Sequence, residues 1–267
     1  MSHRASPPGG DPEPTRVAVV TGVSRRVGIG AAIARRLAES GHALLLTGLP
    51  SYDDAQPHGG DPDGGPALLA ELRAGGTEAD YVAADLLDPA APGEIVAAAV
   101  RRFGRVDALV ANHAYSTHTP LGELEAAEVD RHLLVNVRGT LLLVDAFAAA
   151  HEGGDGRVVL FSSGQRLGPM PGELAYAASK GALEALVPTL ADELAGRGIT
   201  VNAVNPGPTD TGYAPPEVLE RVRARFPAGR WGEPDDAARL VGWLCSAEAR
   251  WITGQIIDSE GGFRRWT

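Results

Sequence analysis

Two side chains in the run Tyr176-Ala177-Ala178-Ser179-Lys180 are suited to proton chemistry. The residues that follow, Ala182, Leu183, Ala185, Leu186 and Leu190, form an apolar, helix-favouring stretch, so Tyr176 and Lys180 fall four apart on one helix face. A phenol with an ordinary pKa of about 10 does little acid–base work near neutrality. An ammonium one turn away favours the phenolate and lowers that pKa, which turns the pair into a proton-transfer device. The same spacing is common on solvated helix faces, so the pair carries weight only with partners elsewhere in the chain. A second candidate is Thr21-Gly22-Val23-Ser24-Arg25-Arg26-Val27-Gly28-Ile29-Gly30. Glycines let a backbone turn tightly and approach a diphosphate, whose charge a helix N-terminus favours. Any strand-to-helix turn uses glycine, and what distinguishes this one is its place between the first strand and the first helix.

The elements that must position these groups alternate along the chain. Val17-Ala18-Val19-Val20 reads as a buried parallel strand, followed by a helix carrying Ile29, Ile33, Leu37 and Ala38 and stopped by Gly41. Further strands are expected at 43–46, 81–83, 108–110, 157–161, 199–204 and 255–257. Helices are expected at 66–74, 93–103, 126–149, 176–195 and 234–246. Residues 50–66, crowded with Pro and Gly among polar residues, read as an exposed loop. The alternation implies an α/β fold: one Rossmann-type domain over 16–267, a doubly wound parallel sheet of about seven strands with helices on both faces. Ligands in such sheets bind beyond the carboxyl ends of the strands, where strand order reverses. The residues after strands one, four, five and six should therefore share one crevice.

Composition narrows the function. Hydrophobic residues make up 44% of 267 and charged residues 22%, the balance of a globular protein. A net charge of −10 argues against nucleic acid and anionic membrane as partners. The single cysteine, Cys245, permits neither an intrachain disulfide nor a multi-cysteine metal site, and no metal is expected. The sequence shows no run of about 18 apolar residues, so no membrane span is expected. Residues 1–15, rich in Pro and Gly, read as a disordered lead-in rather than a signal peptide, and a cytoplasmic location is expected.

Taken together, the glycine turn and the Tyr176–Lys180 pair resemble the short-chain dehydrogenase/reductase family over roughly residues 16–263. The family's turn is usually Thr-Gly, three residues, Gly-x-Gly; here five residues separate Gly22 from Gly28. The resemblance implies a nicotinamide cofactor held by Gly22, Ser24, Arg25, Arg26, Gly28, Ile29 and Gly30, by Asp85 and Leu86 after strand three, and by Asn112 after strand four. Tyr176 and Lys180 also belong to that set, with Pro206, Gly207, Thr209 and Thr211 after strand six. Asp85 also reads as a helix cap, and Pro206-Gly207 as a plain turn. Where the family shows Asn-Asn-Ala-Gly, this chain has Ala111-Asn112-His113-Ala114, and Ala114 narrows the space beside the ribose. The resemblance further implies catalytic roles for Ser163, 13 residues before Tyr176, and for Asn136. Tyr176 would donate a proton to the alkoxide left by hydride transfer to a ketone, Ser163 would polarise that oxygen, and Lys180 would lower the phenol pKa and hold the ribose. Asn136 would link Lys180 to solvent, or simply tie helix to strand.

The end of strand two lacks the acid that NAD-preferring members carry: Gly48 and Leu49 stand there, and the next carboxylate is Asp53. With Arg25 and Arg26 nearby, NADP(H) is expected over NAD(H). Substrate contacts are expected from Gln165, Met170 and Tyr213, with Arg166, Leu167 and Glu173 close by and a lid over about 212–230. The pattern is closest to 3-oxoacyl-[acyl-carrier-protein] reductases. That implies an NADPH-dependent reduction of a 3-oxoacyl thioester or similar carbonyl, an acyl carrier protein as a candidate partner, and a homotetramer or homodimer. The alternatives are an NAD-dependent secondary-alcohol dehydrogenase and a non-catalytic dinucleotide-sensing module.

Overall fold

The computed structural model describes residues 14–266. The lead-in expected over 1–15 therefore lies outside the described residues, apart from its last two. In chain order the elements are β1 (Val17–Thr21), α1 (Ile29–Glu39), β2 (Ala43–Gly48), α2 (Pro50–Asp54), α3 (Gly64–Ala74), β3 (Ala79–Ala83), α4 (Ala91–Phe103) and β4 (Ala108–Ala111). They continue with α5 (Ala126–His132), a π-helical turn (Leu133–Gly139), α6 (Thr140–Ala150), β5 (Gly156–Phe161) and a 3₁₀ turn (Gly164–Arg166). The last are α7 (Leu174–Ala195), β6 (Ile199–Asn205), α8 (Pro216–Arg223), α9 (Pro234–Leu244) and β7 (Ile256–Asp258).

The seven strands form one parallel sheet in the order β3-β2-β1-β4-β5-β6-β7. β1, β2, β4, β5 and β6 are buried along their whole length, which explains why they read as unbroken apolar runs rather than alternating ones. One face packs on Ile95, Val96, Leu143, Phe147 and Val187, from α4, α6 and α7. The other packs on Ile33, Leu37, Leu68, Val241 and Leu244, from α1, α3 and α9. Strand order reverses at β1, which pairs with β2 on one side and β4 on the other; Val19 is opposite both Leu45 and Leu109.

Two stretches differ from expectation. Residues 50–66 are not wholly loop, because Pro50–Asp54 forms a short helix. Proline at the first helical position starts a helix as readily as it breaks one. The helix expected over 126–149 is broken by the π-helical turn that holds Asn136. The run Ala126–Ala150 is also long and apolar enough, with mean hydropathy 1.6 over 18 residues, to cross a membrane by composition, contrary to the expectation of no such segment. Here it serves as a core helix, with Leu143, Val144 and Phe147 buried against the sheet.

Candidate active site

The carboxyl ends of β1, β2, β3 and β4 open onto a cavity of about 420 Å³. Thr21, Gly22, Ser24, Arg25, Gly28 and Ile29 form its β1 side, with Gly48, Leu49, Tyr52 and Asp53 after β2, Asp85 and Leu86 after β3, and Asn112 to Tyr115 after β4. Thr211 closes it from beyond β6.

The expanded glycine turn keeps this cradle intact by sending its extra residues outward. The Val23 amide donates to Thr47 O at 2.9 Å and the Gly28 amide to Arg25 O at 3.0 Å, which folds the turn back on itself. Val27 is left exposed. Arg26 faces away from the cavity and makes a bidentate pair with Asp61, Nε–Oδ2 2.8 Å and Nη2–Oδ1 2.9 Å. The expectation of two cavity arginines is therefore corrected to one, Arg25. Gly22, at φ 73°, must be glycine, since a Cβ would lie 2.8 Å from Asn112 Nδ2 and 2.9 Å from the His113 backbone. Asn112 holds the crossing by donating from Nδ2 to Thr21 O and Gly22 O at 3.0 and 3.1 Å.

His113, which stands where the family has alanine, locks β4 to β1 and to the π turn. Its Nε2 lies 3.3 Å from Val135 O and its Nδ1 2.7 Å from Thr21 Oγ1. The carbonyl requires a proton on Nε2, so Nδ1 accepts the threonine hydroxyl. Burial, with Lys180 nearby, pushes the His113 pKa down to about 3, so the ring is neutral at working pH.

The catalytic candidates come together beside this cavity. Lys180 is fully buried; its Nζ donates to Phe161 O at 2.8 Å and lies 5.6 Å from the centre of the Tyr176 ring. Burial lowers its pKa to about 8. Burial pushes the Tyr176 phenol above its ordinary value, and Glu173 adds to the rise, while Ser163, within hydrogen-bonding reach, pulls it back. Ser163 is the neighbour that pulls the phenol back, while the Lys180 ammonium, one turn along the helix, is turned to the end of β5. Asn136 ties helix to strand, one of the two roles expected of it. Its Oδ1 accepts the Tyr115 amide at 2.7 Å, and its Nδ2 donates to Tyr115 O and Ser179 Oγ, both at 2.9 Å. The side chain clamps the β4 loop to α7, and the Asn136 carbonyl accepts the Thr140 hydroxyl at 2.7 Å. A π turn is the local geometry that seats this buried amide.

The remaining expected residues divide. Asp85, Leu86 and Thr211 line the cavity, and Asp85 also caps its own turn by accepting the Leu87 amide at 2.9 Å. Gly30 is buried beneath the turn and does not line the cavity, nor do Pro206, Gly207 and Thr209. The Thr209 hydroxyl lies 3.3 and 3.2 Å from Pro206 O and Gly207 O and shapes their turn. Gln165 Nε2 donates to Ser162 Oγ at 3.3 Å, Met170 is half-buried, and Tyr213 is exposed with its ring edge-on to Trp231. Sequence reasoning missed Tyr52. Its hydroxyl donates to Ser116 O at 3.1 Å and accepts the Ser116 amide at 3.0 Å, which pins the β4 loop. An aromatic residue inside a breaker-rich segment was the available signal. Among the described residues, no three His, Cys, Asp or Glu side chains group as metal ligands.

Comparison with known proteins places these features. The family model described as enoyl-(acyl carrier protein) reductase matches residues 22–264. An uncharacterised oxidoreductase of Bacillus subtilis, YjdA, is 42% identical over 94% of this chain and 97% of its own length. Among solved structures, a doubly substituted variant of a Serratia marcescens short-chain dehydrogenase/reductase superposes with a TM-score of 0.85 at 33% identity, covering 95% of this chain and 99% of that one. A blue fluorescent protein from a metagenomic library, in complex with NADPH, superposes with a TM-score of 0.84 at 36% identity, covering 94% and 98%.

Proposed function

The chain belongs to the short-chain dehydrogenase/reductase family of oxidoreductases, and on that premise we propose that it is an NADPH-dependent reductase converting a ketone to a secondary alcohol. The observation that carries this reading is the convergence of Tyr176, Ser163 and Lys180 beside a cavity built like a dinucleotide cradle. A nicotinamide dinucleotide bound there supplies the hydride. The residues that would hold it are Gly22, Ser24, Gly28 and Ile29 at the N-terminus of α1, Asp85 and Leu86 at the adenine end, Asn112, and Thr211.

The chain's own chemistry follows from its placements. Tyr176 is held protonated by burial, so near neutral pH it is poised to give its proton to an alkoxide oxygen. Ser163 donates to the same oxygen and stabilises the charge that develops on it. Lys180 keeps a positive charge one turn below the phenol, where a transient phenolate would form. Asn136 fixes the spacing between the β4 loop and α7.

Cofactor choice rests on Arg25 and Gly48. Arg25 lines the cavity, while a Cβ at Gly48 would lie 2.5 Å from Ser24 Oγ and 2.9 Å from the Tyr81 hydroxyl. A strand-end acid has no room there, and the positive charge suits a 2′-phosphate. NADPH in the metagenomic blue fluorescent protein supports the same choice. One observation favours the alternative of an NAD-dependent alcohol dehydrogenase: Asp53 lines the same wall beside Ser24 and could take a ribose hydroxyl. The preferred substrate remains a 3-oxoacyl thioester or a similar carbonyl, and a homotetramer or homodimer remains the proposed assembly. Turnover of a panel of ketones and acyl thioesters with NADPH and NADH tests the substrate and cofactor choices. Faster turnover with NADPH supports the reading, and turnover with NADH alone overturns it.

A further inference from the structure

The turn that presents Ser163 is underpinned by the far end of the chain. Ser163 precedes the 3₁₀ turn Gly164–Arg166, whose Gly164 carbonyl accepts the amides of Leu167 at 2.9 Å and Gly168 at 3.2 Å. The hollow beneath this turn is filled by the Arg265 side chain. A Cβ on Gly164 would overlap the guanidinium, and one on Gly168 would lie 2.9 Å from Arg265 Cδ. Both positions therefore admit glycine because arginine occupies the space. The guanidinium pairs with Glu260, itself held by Asn205 Nδ2 at 2.8 Å, and it lies 5.2 Å from the Phe263 ring centre. Arg265 is mostly buried, and its Nε has no partner. A guanidinium with a buried, unpaired N–H would not sit against two glycines unless its surroundings held it there.

The same segment also grips the candidate lid. The Arg264 amide donates to Arg225 O at 3.0 Å, and the Phe263 ring lies 5.0 Å from that of Phe226. The other side of the Ser163 turn is fastened independently: Ser162 Oγ donates to Glu184, and Arg166 pairs with Glu184 at 3.4 Å and with Asp258 at 2.5 Å.

We infer that Arg265 is a positioning residue for Ser163, with Gly164 and Gly168 forming the slot that receives it. The inference rests on the proposed role of Ser163, since a misplaced hydroxyl matters only if that hydroxyl polarises the reacting oxygen. Emptying the slot lets the turn sag and moves the Ser163 hydroxyl off its line to that oxygen, while the cofactor cradle on the opposite half of the sheet is untouched.

The test compares Arg265→Ala, Arg265→Lys, Ser163→Ala and the Ser163→Ala/Arg265→Ala double variant. Each is assayed for kcat and KM with NADPH and a ketone or 3-oxoacyl thioester that the wild-type protein turns over, for NADPH affinity, and for amide hydrogen exchange over residues 162–170. Arg265→Lys retains the charge without the planar fork and serves if the alanine variant folds poorly. The expected result is a fall in kcat of about 10- to 100-fold for Arg265→Ala, with NADPH affinity unchanged, faster exchange at 163–168, and little further loss in the Ser163→Ala background. An unchanged kcat, or an equal loss in both backgrounds, overturns the inference. If Ser163→Ala alone leaves turnover intact, the proposed mechanism fails, and the exchange data then decide the role of Arg265. Faster exchange confined to 163–168 upholds the slot, and unchanged exchange refutes it.

Discussion

Replacing Arg25 by alanine should change which nicotinamide cofactor the protein prefers, and by a calculable amount. Arg25 is the half-buried guanidinium on the cavity wall, since Arg26 is committed to Asp61 outside it. A unit charge about 4 Å from a phosphate charge interacts by about 4 kcal/mol at an effective dielectric of about 20. Ordering the side chain and its residual exposure to water reduce this to the range of a charge-assisted hydrogen bond, about 1.5–3 kcal/mol. At 1.4 kcal/mol per decade, Kd for NADPH should rise roughly 10- to 150-fold, while Kd for NADH, which lacks the 2′-phosphate, should stay within about twofold. Nicotinamide fluorescence titrations with each cofactor read both constants. Repeating them at high salt should shrink the wild-type preference and leave the variant indifferent. Asp53→Asn should move the ratio the other way, because it removes a carboxylate from the same wall. Equal weakening of both cofactors by Arg25→Ala would refute the reasoning, as would unchanged NADPH affinity.

Other consequences follow from individual placements. Gly48→Ala should destabilise the protein by about 1–3 kcal/mol in chemical denaturation, since the added methyl meets Ser24 and Tyr81. Asn136→Ala deletes three hydrogen bonds made by a buried side chain and should cost about 2–4 kcal/mol, lowering Tm by roughly 5–12 °C in calorimetry. Lys180 has a folded pKa of about 8 against 10.5 when unfolded, so the unfolded chain holds the extra proton between those values and stability should rise with pH across that window. Over the same range kcat/KM for carbonyl reduction should fall as the ammonium is lost, which a pH–rate profile checks. Cys245, buried with its thiol pushed up to about 12, should resist thiol reagents until the protein is denatured.

Much of this was readable from residue types alone. Unbroken apolar runs such as Val17–Val20 and Leu44–Leu46 mark strands covered on both faces, and a glycine turn after the first of them marks the switch point at β1. Helix period places Tyr176 and Lys180 four apart on one face, while Ser163 came only from the family resemblance. What spacing does not encode is direction. Arg25 and Arg26 are adjacent and chemically identical, yet one faces the cavity and the other Asp61, a choice made by the fold of the turn. The partner of Lys180 is a backbone carbonyl, which no side-chain pattern reveals. Pro50 read as a breaker because proline at a helix start and proline in a loop look alike in sequence. Arg265 escaped notice because its partners, Gly164 and Gly168, lie about a hundred residues away and carry no side chain to signal the contact.

The most direct test of the account is carbonyl reduction by Tyr176→Phe, measured with NADPH on a ketone the wild-type protein turns over. The phenyl ring keeps the packing and removes the hydroxyl that carries the proton, so kcat should fall by about 10²-fold or more while NADPH affinity is retained. Undiminished reduction by the phenylalanine variant would contradict the central claim that Tyr176 delivers the proton.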